Sequence, residues 1–378
     1  MNLKHPWEPE YSKNSKLLIL GTFPSPKSRE MGYYYGHPQN VFWKTLAASL
    51  GVPEPPYEVE ARQRFVREHG VALWDVFKSV NIDGASDASI HEAEPNTFKK
   101  IITGSEIKTI FTTGRTGTEA FNRLCSGEAG MRAVYLPSTS PANRKTQATP
   151  DYDLRWSLIG KLIRGELVSS AGMKELDRKT IEGGVPSLVL MEKAALSVAY
   201  AIRDGAFAKR PRGSEKVLCV CGAGNNGGDG FAAARLLENE GIASEILFIG
   251  DSSKMSKETK HQARAAKGCG IPVSENDLSK ITKHKIIVDA LFGIGLTREL
   301  SGMYLDTVKT INKARKSGAY VLAVDVPSGL SADTGEALGG AVTADETVTF
   351  AYSKIGLTIG KGVECSGKLK VADIGIYR

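Results

Sequence analysis

Short apolar runs alternate with longer amphipathic stretches along the first part of the chain. Each run is followed by Gly, Pro or Ser and then by a segment with helical periodicity, and the block closes on an amphipathic helix over residues 151–167. The apolar runs cover residues 17–20, 72–77, 107–112 and 133–136. This alternation is typical of a parallel β-sheet whose strands are joined by helices.

A second block of the same kind begins at Met173. A helix over 187–203, rich in Leu, Met and Ala, precedes predicted strands at 217–221, 244–248, 286–291, 320–325 and 347–351. A segment of small residues separates the two blocks. The pattern therefore predicts an α/β domain over residues 1–167, a linker over 168–172 and a second α/β domain over 173–378. Each domain is expected to be a three-layer αβα sandwich, the second of Rossmann-like type.

Composition narrows the class of protein. The 378 residues are 41% hydrophobic and 24% charged, which excludes a disordered chain, a coiled coil and a collagen-like repeat. No apolar run approaches the roughly 20 residues of a membrane helix, and the polar segment 1–16 lacks a signal-peptide core, so a cytoplasmic protein without membrane contact is expected. The net charge of +7 permits nucleic-acid contact without arguing for it. The five cysteines lack metal-ligand spacing, which indicates reduced, structural thiols, and Cys219 and Cys221 fall in an apolar run typical of a buried strand.

Two loops of the first block carry small polar residues directly after predicted strands. One is Gly21-Thr-Phe-Pro-Ser and the other is Ser138-Thr-Ser-Pro-Ala-Asn. Open α/β sheets bind ligands at the carboxyl edge of their strands. The aromatic residues at 33–35 and 43 could stack on a base there, or they could simply belong to the core.

These loops, together with Gly36-His-Pro-Gln-Asn-Val-Phe-Trp, resemble the uracil-DNA glycosylase superfamily, and more closely its hypoxanthine-DNA (deoxyinosine) glycosylase branch, over residues 10–165. The resemblance implies that a damaged nucleotide leaves the base stack and enters a pocket that reads its edge. In relatives, an aromatic residue at the position of Tyr35 stacks on the flipped base. The base and DNA contacts implied by the resemblance are Gly21, Thr22, Phe23, Pro24, Tyr35, His37, Ser138, Ser140, Pro141 and Asn143.

Phe23 departs from the superfamily pattern. Many members carry Asn or Asp there to position the attacking water, whereas a phenyl ring can neither hydrogen-bond nor act as a base. The hypoxanthine branch assigns the catalytic amide to Asn40, although Asn40 would also suit the N-cap of a helix over 41–50. No lysine stands out as a Schiff-base nucleophile, so a monofunctional glycosylase without a cofactor is expected. A uracil or thymine-mismatch glycosylase, or a DNA-binding module without catalysis, is the alternative.

The second block contains a glycine-rich segment between the strand 217–221 and a predicted helix over 231–237. Gly222-x-Gly224-x-x-Gly227 satisfies the dinucleotide fingerprint, and Asp251 could bind a ribose, so an NAD-dependent dehydrogenase is one interpretation. Two further strands end in Asp289 and Asp325. Oxygens from three strand ends could hold a hard monovalent cation beside a nucleotide, although these carboxylates could instead only cap turns.

From Met173 to the C-terminus the sequence closely resembles the NAD(P)H-hydrate epimerase (YjeF N-terminal) family. The motifs are Met173-Lys-Glu-Leu-Asp-Arg, Ser187-Leu-Val-Leu-Met-Glu, Asn225-Asn-Gly-Gly-Asp-Gly, Asp289-Ala-Leu-Phe-Gly-Ile-Gly and Asp325-Val-Pro-Ser-Gly. The resemblance implies interconversion of the two C6 epimers of hydrated NADH or NADPH. It also implies a bound potassium ion. Asp325 is the candidate for the carboxylate that moves a proton.

The resemblance also implies a set of contacts and partners. Hydrated NAD(P)H would be held by Asn225, Asn226, Gly227, Gly228, Asp229, Gly293, Ile294, Gly295, Leu296, Thr297, Arg298, Glu299 and Asp325, and potassium by Asn226, Asp289 and Ser328. Relatives are often dimeric and often continue into an ADP-dependent dehydratase domain. A homodimer and a separate ADP- or ATP-dependent NAD(P)H-hydrate dehydratase are therefore expected, with damaged DNA as the ligand of the first block.

Overall fold

The computed structural model describes residues 2–82, 90–207 and 215–377. They form two compact units, Met1–Gly172 and Met173–Arg378, each mixed α/β with helices on a parallel sheet. Among the described residues, no helix has both the length and the apolar character needed to cross a bilayer. The two units are described in turn.

The first unit is built on a parallel sheet of four strands in the order β3-β2-β6-β7. A separate antiparallel sheet has the order β1-β4-β5. The strands are β1 (Asn2–Lys4), β2 (Leu17–Gly21), β3 (Val71–Asp75), β4 (Phe77–Ile82), β5 (Ile90–Pro95), β6 (Thr109–Thr113), β7 (Ala133–Leu136) and β8 (Leu167–Val168). The helices are α1 (Pro26–Met31), α2 (Phe42–Leu50), α3 (Val59–Glu68), α4 (Lys99–Thr103), α5 (Arg115–Leu124), α6 (Ser126–Ala129), α7 (Arg144–Gln147) and α8 (Pro150–Ile163), with a 3₁₀ turn at Pro141–Asn143.

The apolar pattern explains the central strands. Every residue of β2 and β6 is buried, because both faces of an internal parallel strand are covered. Helix α2 buries Phe42, Trp43 and Leu46 and ends at Leu50. Gly51 follows as the C-cap, with a left-handed φ of 74°.

Two sequence predictions for this unit are wrong in detail. The apolar run 72–77 is two strands, since β3 ends at Asp75 and β4, in the other sheet, begins at Phe77. The helix predicted over 151–167 ends at Ile163. In the segment predicted as a linker, Val168 ends β8 and Ser170 begins the next helix.

The second unit has one sheet of seven parallel strands in the order β11-β10-β9-β12-β13-β14-β16. The strands are β9 (Val217–Cys221), β10 (Ser244–Phe248), β11 (Val273–Glu275), β12 (Ile286–Ala290), β13 (Tyr320–Val324), β14 (Glu346–Phe350), β15 (Ser353–Lys354) and β16 (Lys368–Ala372). The helices are α9 (Ser170–Glu182), α10 (Ser187–Asp204), α11 (Asn225–Asn239), α12 (Lys257–Gly268), α13 (Gly302–Lys316) and α14 (Lys361–Ser366), with 3₁₀ segments at Ser252–Lys254, Leu278–Lys283 and Ile355–Thr358.

The five strands predicted for this unit are confirmed to within one residue at each end. Cys219 and Cys221 are fully buried in β9, as predicted, and burial raises the pKa of the Cys219 thiol to about 12. The edge strands β11 and β16 were not predicted, because most of their residues are exposed and their apolar positions are few. Strand order reverses between β9 and β12, which opens a crevice at their carboxyl ends.

Candidate functional sites

A pocket of about 840 Å³ opens at the carboxyl edge of the first parallel sheet. Its walls come from the segments that follow β2, β6 and β7 and from the motif that precedes α2. The predicted base, DNA and catalytic residues of this unit all line it: Gly21, Thr22, Phe23, Pro24, Tyr35, His37, Asn40, Ser138, Ser140, Pro141 and Asn143. The structure thus brings the three sequence motifs together at one site.

Hydrogen bonds fix the loop after β7 against the motif before α2. The Val41 backbone N–H donates to the Thr139 carbonyl at 3.2 Å. The Gln147 side-chain amide donates to the carbonyls of Ser138 and Ser140, at 3.3 and 2.8 Å. Because these bonds restrain the backbone on both sides of Thr139, the loop presents its hydroxyl groups from a braced position.

Asn40 lines the pocket, but it is not the predicted N-cap of α2, because that position is Val41. Its Oδ1 accepts a hydrogen bond from the Phe42 backbone N–H at 3.0 Å, at the start of α2. One lone pair of the side-chain carbonyl is therefore engaged. The amide nitrogen remains as the donor that a ligand in the pocket could meet.

Tyr35 is held as a flat wall of the pocket. Its backbone has a φ of 50°, which is uncommon for a residue other than glycine. The ring stacks on Phe42 with centroids 3.7 Å apart and planes 4° apart, and the hydroxyl lies 3.2 Å from the Thr113 hydroxyl. Tyr33 and Trp43, by contrast, are buried core residues.

Phe23 contributes no polar group to the pocket. Its side chain is buried in the apolar core, and the Arg29 guanidinium lies over the ring, 5.8 Å from its centroid. Sequence reasoning missed the two charged residues of the described lining, Asp75 and Arg115. For Asp75, the signal available in the sequence was a carboxylate inside an apolar run. Arg115, whose guanidinium lies 4.9 Å from the centroid of the Tyr135 ring, carried no such signal.

A second pocket, of about 510 Å³, lies at the carboxyl ends of β9, β12 and β13 in the second unit. The predicted ligand contacts that line it are Asn225, Asn226, Asp229, Gly293, Ile294, Gly295, Leu296 and Asp325. The predicted residues outside its lining are Gly227, Gly228, Asp289, Thr297, Arg298, Glu299 and Ser328. Of the latter, Thr297, Arg298 and Glu299 are exposed on the loop that follows β12.

The glycine-rich segment is helical, which corrects the prediction that the helix starts at residue 231. Helix α11 begins at Asn225, with Gly224 as its N-cap. A Cβ on Gly227 would lie 1.8 Å from the Gly222 carbonyl oxygen, and one on Gly222 would lie 2.1 Å from the Leu291 carbonyl oxygen. These two glycines are therefore required for close packing of helix on sheet. Of the three glycines of the dinucleotide fingerprint, only Gly224 has open space where a side chain would stand.

Asp325 is held by a buried lysine that the sequence analysis did not identify. The Lys354 ammonium donates to Asp325 Oδ1 at 2.6 Å, to the Thr349 hydroxyl at 2.8 Å and to the Phe350 carbonyl at 2.9 Å. The Lys354 side chain is only 1% exposed. Asp325 follows β13 with a φ of 65°, so the chain turns sharply where it presents this carboxylate.

Two more carboxylates share this pocket with Asp325 and Lys354. Burial, and then the charge of Asp325, raise the pKa of Asp177 to about 6, while the Lys354 charge acts in the opposite sense. Burial also raises the pKa of Asp229 well above its ordinary value, with added repulsion from Asp325 and Asp177. The pocket therefore combines a lysine-paired carboxylate with carboxyl groups that hold their protons more strongly.

Two family models match the chain, one in each unit. The Uracil DNA glycosylase superfamily matches residues 8–158, and the YjeF-related protein N-terminus matches residues 187–356. The NAD(P)H-hydrate epimerase of Limosilactobacillus reuteri is 45% identical over 214 residues, which cover 56% of this chain and 97% of the relative. The chain belongs to the NAD(P)H-hydrate epimerase family.

Solved structures also resemble parts of the chain. The yeast protein ynu0 is 24% identical and covers 54% of this chain and 86% of its own, with a TM-score of 0.48. A solution structure from Methanosarcina acetivorans, of a protein proposed to be a uracil DNA glycosylase, is 28% identical and covers 43% of this chain and 99% of its own, with a TM-score of 0.38.

Membership of the NAD(P)H-hydrate epimerase family favours that activity over a dehydrogenase for the second unit. Asp251, the residue that could bind a ribose in a dehydrogenase, lies outside the pocket lining, which also disfavours the dehydrogenase interpretation. Its Oδ1 accepts a hydrogen bond from the Ser253 backbone N–H at 2.9 Å and so caps the 3₁₀ turn Ser252–Lys254.

The residues of the epimerase unit predicted to hold potassium suit a hard cation. Asp289 is fully buried, accepts from the Ser328 hydroxyl at 2.6 Å and from the Ser328 backbone N–H at 2.8 Å, and burial raises its pKa to about 6. Among the described residues, no Lys, Arg or His forms an ion pair with it. A buried carboxylate without a cationic partner is costly, and Asp289, Ser328 and the Asn226 amide supply oxygens of the kind that suit a monovalent ion. A Cβ on Gly293 would lie 2.9 Å from Asn226 Oδ1, so a side chain at this position would crowd the Asn226 oxygen.

Proposed function

We propose that the chain joins two repair enzymes. The first unit hydrolyses the N-glycosidic bond of hypoxanthine in DNA. The second unit interconverts the R and S epimers of hydrated NADH and NADPH. The proposal for each unit is supported by one pocket at the carboxyl edge of its sheet.

The Asp325–Lys354 pair is the observation that carries the epimerase proposal. Epimerising C6 requires that a bond at an aminal-like carbon is broken and remade, which a carboxylate can assist by taking and returning a proton. Lys354 holds Asp325 in one orientation, and Asn225 and Asn226 stand at the N-terminus of α11, where anionic groups are favoured. These features together favour binding of a nucleotide with its reacting ring near Asp325.

Potassium would be held by Asn226, Asp289 and Ser328. Its charge would offset the buried Asp289 carboxylate and the phosphates of the nucleotide. Ser328 Oγ also accepts from the Phe292 backbone N–H at 2.9 Å, which ties the ion site to the loop that carries Gly293 to Leu296. A cation there would thus order the wall of the nucleotide pocket.

The epimerase proposal is tested by giving the protein one purified epimer of hydrated NADH and following the appearance of the other by chromatography. We expect wild type to restore the equilibrium mixture and Asp325→Asn to lose that acceleration. Asp251→Asn is the matched control, because it removes a carboxylate outside the pocket. Loss of activity in Asp251→Asn with an active Asp325→Asn would contradict this assignment.

The pocket of the first unit supports a base-flipping glycosylase. It is large enough for a purine, it has a flat aromatic wall in Tyr35, and it has an amide donor in Asn40. An uncharged amide can hold the attacking water or the leaving base while the sugar becomes oxocarbenium-like. The absence of a polar group at Phe23 supports the hypoxanthine branch over uracil enzymes that use that position.

A glycosylase assay on duplexes with inosine, xanthine, uracil or a G·T mismatch, followed by alkaline cleavage of abasic sites, tests this proposal. We expect strand breaks at inosine that Asn40→Ala abolishes. Breaks at uracil or thymine instead would indicate the mismatch enzyme. DNA binding without breaks in any duplex would indicate a binding module and would overturn the proposed activity.

The epimerase product requires a second enzyme. We propose that a separate ADP- or ATP-dependent dehydratase consumes the correct epimer, and that the second unit forms a homodimer, as its relatives often do. Coupled assays with a purified dehydratase, and light scattering at working concentration, test these two statements. Conversion of both epimers only when the two proteins are present supports the first, and a monomeric mass overturns the second.

A further inference from the structure

We propose that Asp75 supplies the proton acceptor that position 23 lacks, and that His5 is the residue that positions it. This inference rests on the glycosylase function proposed for the first unit. It adds a catalytic carboxylate to a site whose sequence motifs contain none.

Asp75 reaches the pocket from the strand next to the glycine motif. It is the last residue of β3, and its register partner on β2 is Gly21. Its carboxylate packs over Gly21, since a Cβ on that glycine would lie 2.3 Å from Asp75 Oδ1. A carboxylate therefore stands at the same edge of the sheet, beside Gly21, which comes two residues before Phe23.

The pocket offers no competing carboxylate in the part of the chain that the structure describes. Among its described lining residues, Asp75 is the only Asp or Glu. It is 5% exposed, and the His5 Nε2 lies 2.8 Å from its Oδ2. One carboxylate oxygen is thus committed to His5, while the other faces Gly21 at the pocket wall.

His5 is oriented so that its Nε2–H can donate a hydrogen bond to Asp75. The Trp7 backbone provides both partners for Nδ1, a carbonyl at 2.8 Å and an N–H at 3.2 Å. Nδ1 can therefore accept in the neutral ring or donate in the protonated ring, and in both cases Nε2–H donates to Asp75. The ring is also packed edge-on against Phe23, with centroids 5.9 Å apart. This packing fixes the orientation of the imidazole, and the imidazole fixes that of the carboxylate.

The chemistry divides between Asp75 and Asn40. Asp75 accepts a proton from a water molecule as the water oxygen bonds to C1′ of the flipped nucleotide. The C1′–N9 bond breaks, and its electron pair leaves with the purine, which takes a proton from solvent. Asp75 then releases its proton to solvent, so that the products are the free base and an abasic site. The Asn40 side-chain amide donates a hydrogen bond to the water or to the purine.

The test is single-turnover excision of hypoxanthine from an inosine duplex by the full chain, with DNA affinity measured in parallel. Asp75→Asn keeps the shape and the bond from His5 but removes the acceptor. We expect its rate to fall about 100-fold or more, with DNA affinity within about threefold of wild type. Glu10→Gln is the matched control, because Glu10 is a buried carboxylate of the same unit that pairs with Arg67 outside the pocket. We expect it to retain the wild-type rate.

Two His5 variants separate positioning from a purely structural role. His5→Gln can still donate an N–H toward Asp75 and should stay within about threefold of wild type, whereas His5→Ala should slow excision about tenfold without weakening DNA binding. Tryptophan fluorescence checks folding, because Trp7, Trp43, Trp74 and Trp156 all lie in this unit.

The outcomes distinguish this inference from the function on which it rests. If wild type excises hypoxanthine and Asp75→Asn does so at a similar rate, the role of Asp75 is overturned and the glycosylase stands. If Asp75→Asn loses activity, DNA affinity and native fluorescence together, Asp75 is structural and the inference is also overturned. If wild type is inactive on every duplex, the proposed function fails and the role of Asp75 fails with it.

Discussion

Replacing Lys354 by methionine would leave the Asp325 carboxylate buried without its cation. Lys354 donates three hydrogen bonds, to Asp325, Thr349 and Phe350, and the side chains of the ion pair are 1% and 11% exposed. Methionine fills a similar volume, so packing changes little. The perturbation is therefore mainly electrostatic.

The magnitude follows from the burial of the pair. Removing one partner of a buried ion pair costs about 3–5 kcal/mol, because the remaining charge is neither solvated nor paired. Asp177 and Asp229 share the pocket, so the unpaired carboxylate also faces like charge whenever they ionise. We expect Lys354→Met to destabilise the second unit by about 3 kcal/mol or more and to abolish epimerase activity. Adding Asp325→Asn should recover most of the stability and none of the activity.

Urea unfolding of the full chain can separate the two units. All four tryptophans lie in the first unit, so their fluorescence reports that unit, whereas far-ultraviolet circular dichroism reports both. For Lys354→Met, we expect the midpoint of the dichroism transition of the second unit to move to lower urea concentration. The midpoint of the fluorescence transition should not change. Lys361→Met is the matched control, since Lys361 forms an exposed pair with Glu364 and its loss should have no measurable effect. Equal shifts for the two lysine variants, or a double variant no more stable than Lys354→Met, would refute the reasoning.

Three further predictions concern the second unit. Folding raises the pKa of Asp177 from its ordinary 3.8 to about 6, so the folded state keeps this proton to higher pH than the unfolded state does. The free energy of unfolding should therefore fall as the pH rises from about 4 to about 6. Asp177→Asn should flatten that slope in urea unfolding. Gly227→Ala should cost about 1–3 kcal/mol by dichroism, because its Cβ would strike the Gly222 carbonyl, whereas Gly224→Ala, with open space, should cost less. KCl should raise the unfolding temperature more than tetramethylammonium chloride at equal ionic strength, an effect that Asp289→Asn should remove; equal responses to the two salts would contradict the ion site.

Much of the fold could be predicted from the sequence because its information is local. Strands β9, β10, β12, β13 and β14 are buried at every position except Tyr320, so the apolar pattern located them to within a residue. The polar motifs stand where those strands end, and parallel strands bring their carboxyl ends to one edge. The residues of the three glycosylase-like motifs could therefore be grouped before their contacts were known.

The tertiary structure decided which motif residues line a pocket and which only pack. Gly222 and Gly227 belong to the same motif as Gly224. Neighbouring backbone occupies the space where a Cβ on either of the first two would stand, and only Gly224 faces open space. A sequence pattern cannot separate these roles, because both require a missing side chain. The separation depends on what lies opposite each glycine in the folded chain.

The charge partners at both sites were likewise decided by the fold. His5 meets Asp75 across 70 positions of the chain, and Lys354 meets Asp325 across 29. Local periodicity determines that β3 and β13 are strands, and it says nothing about which side chain will neutralise the carboxylate at each end. Such pairs form because burial makes an unpaired charge costly, and only the packed structure shows which cation or donor is within reach.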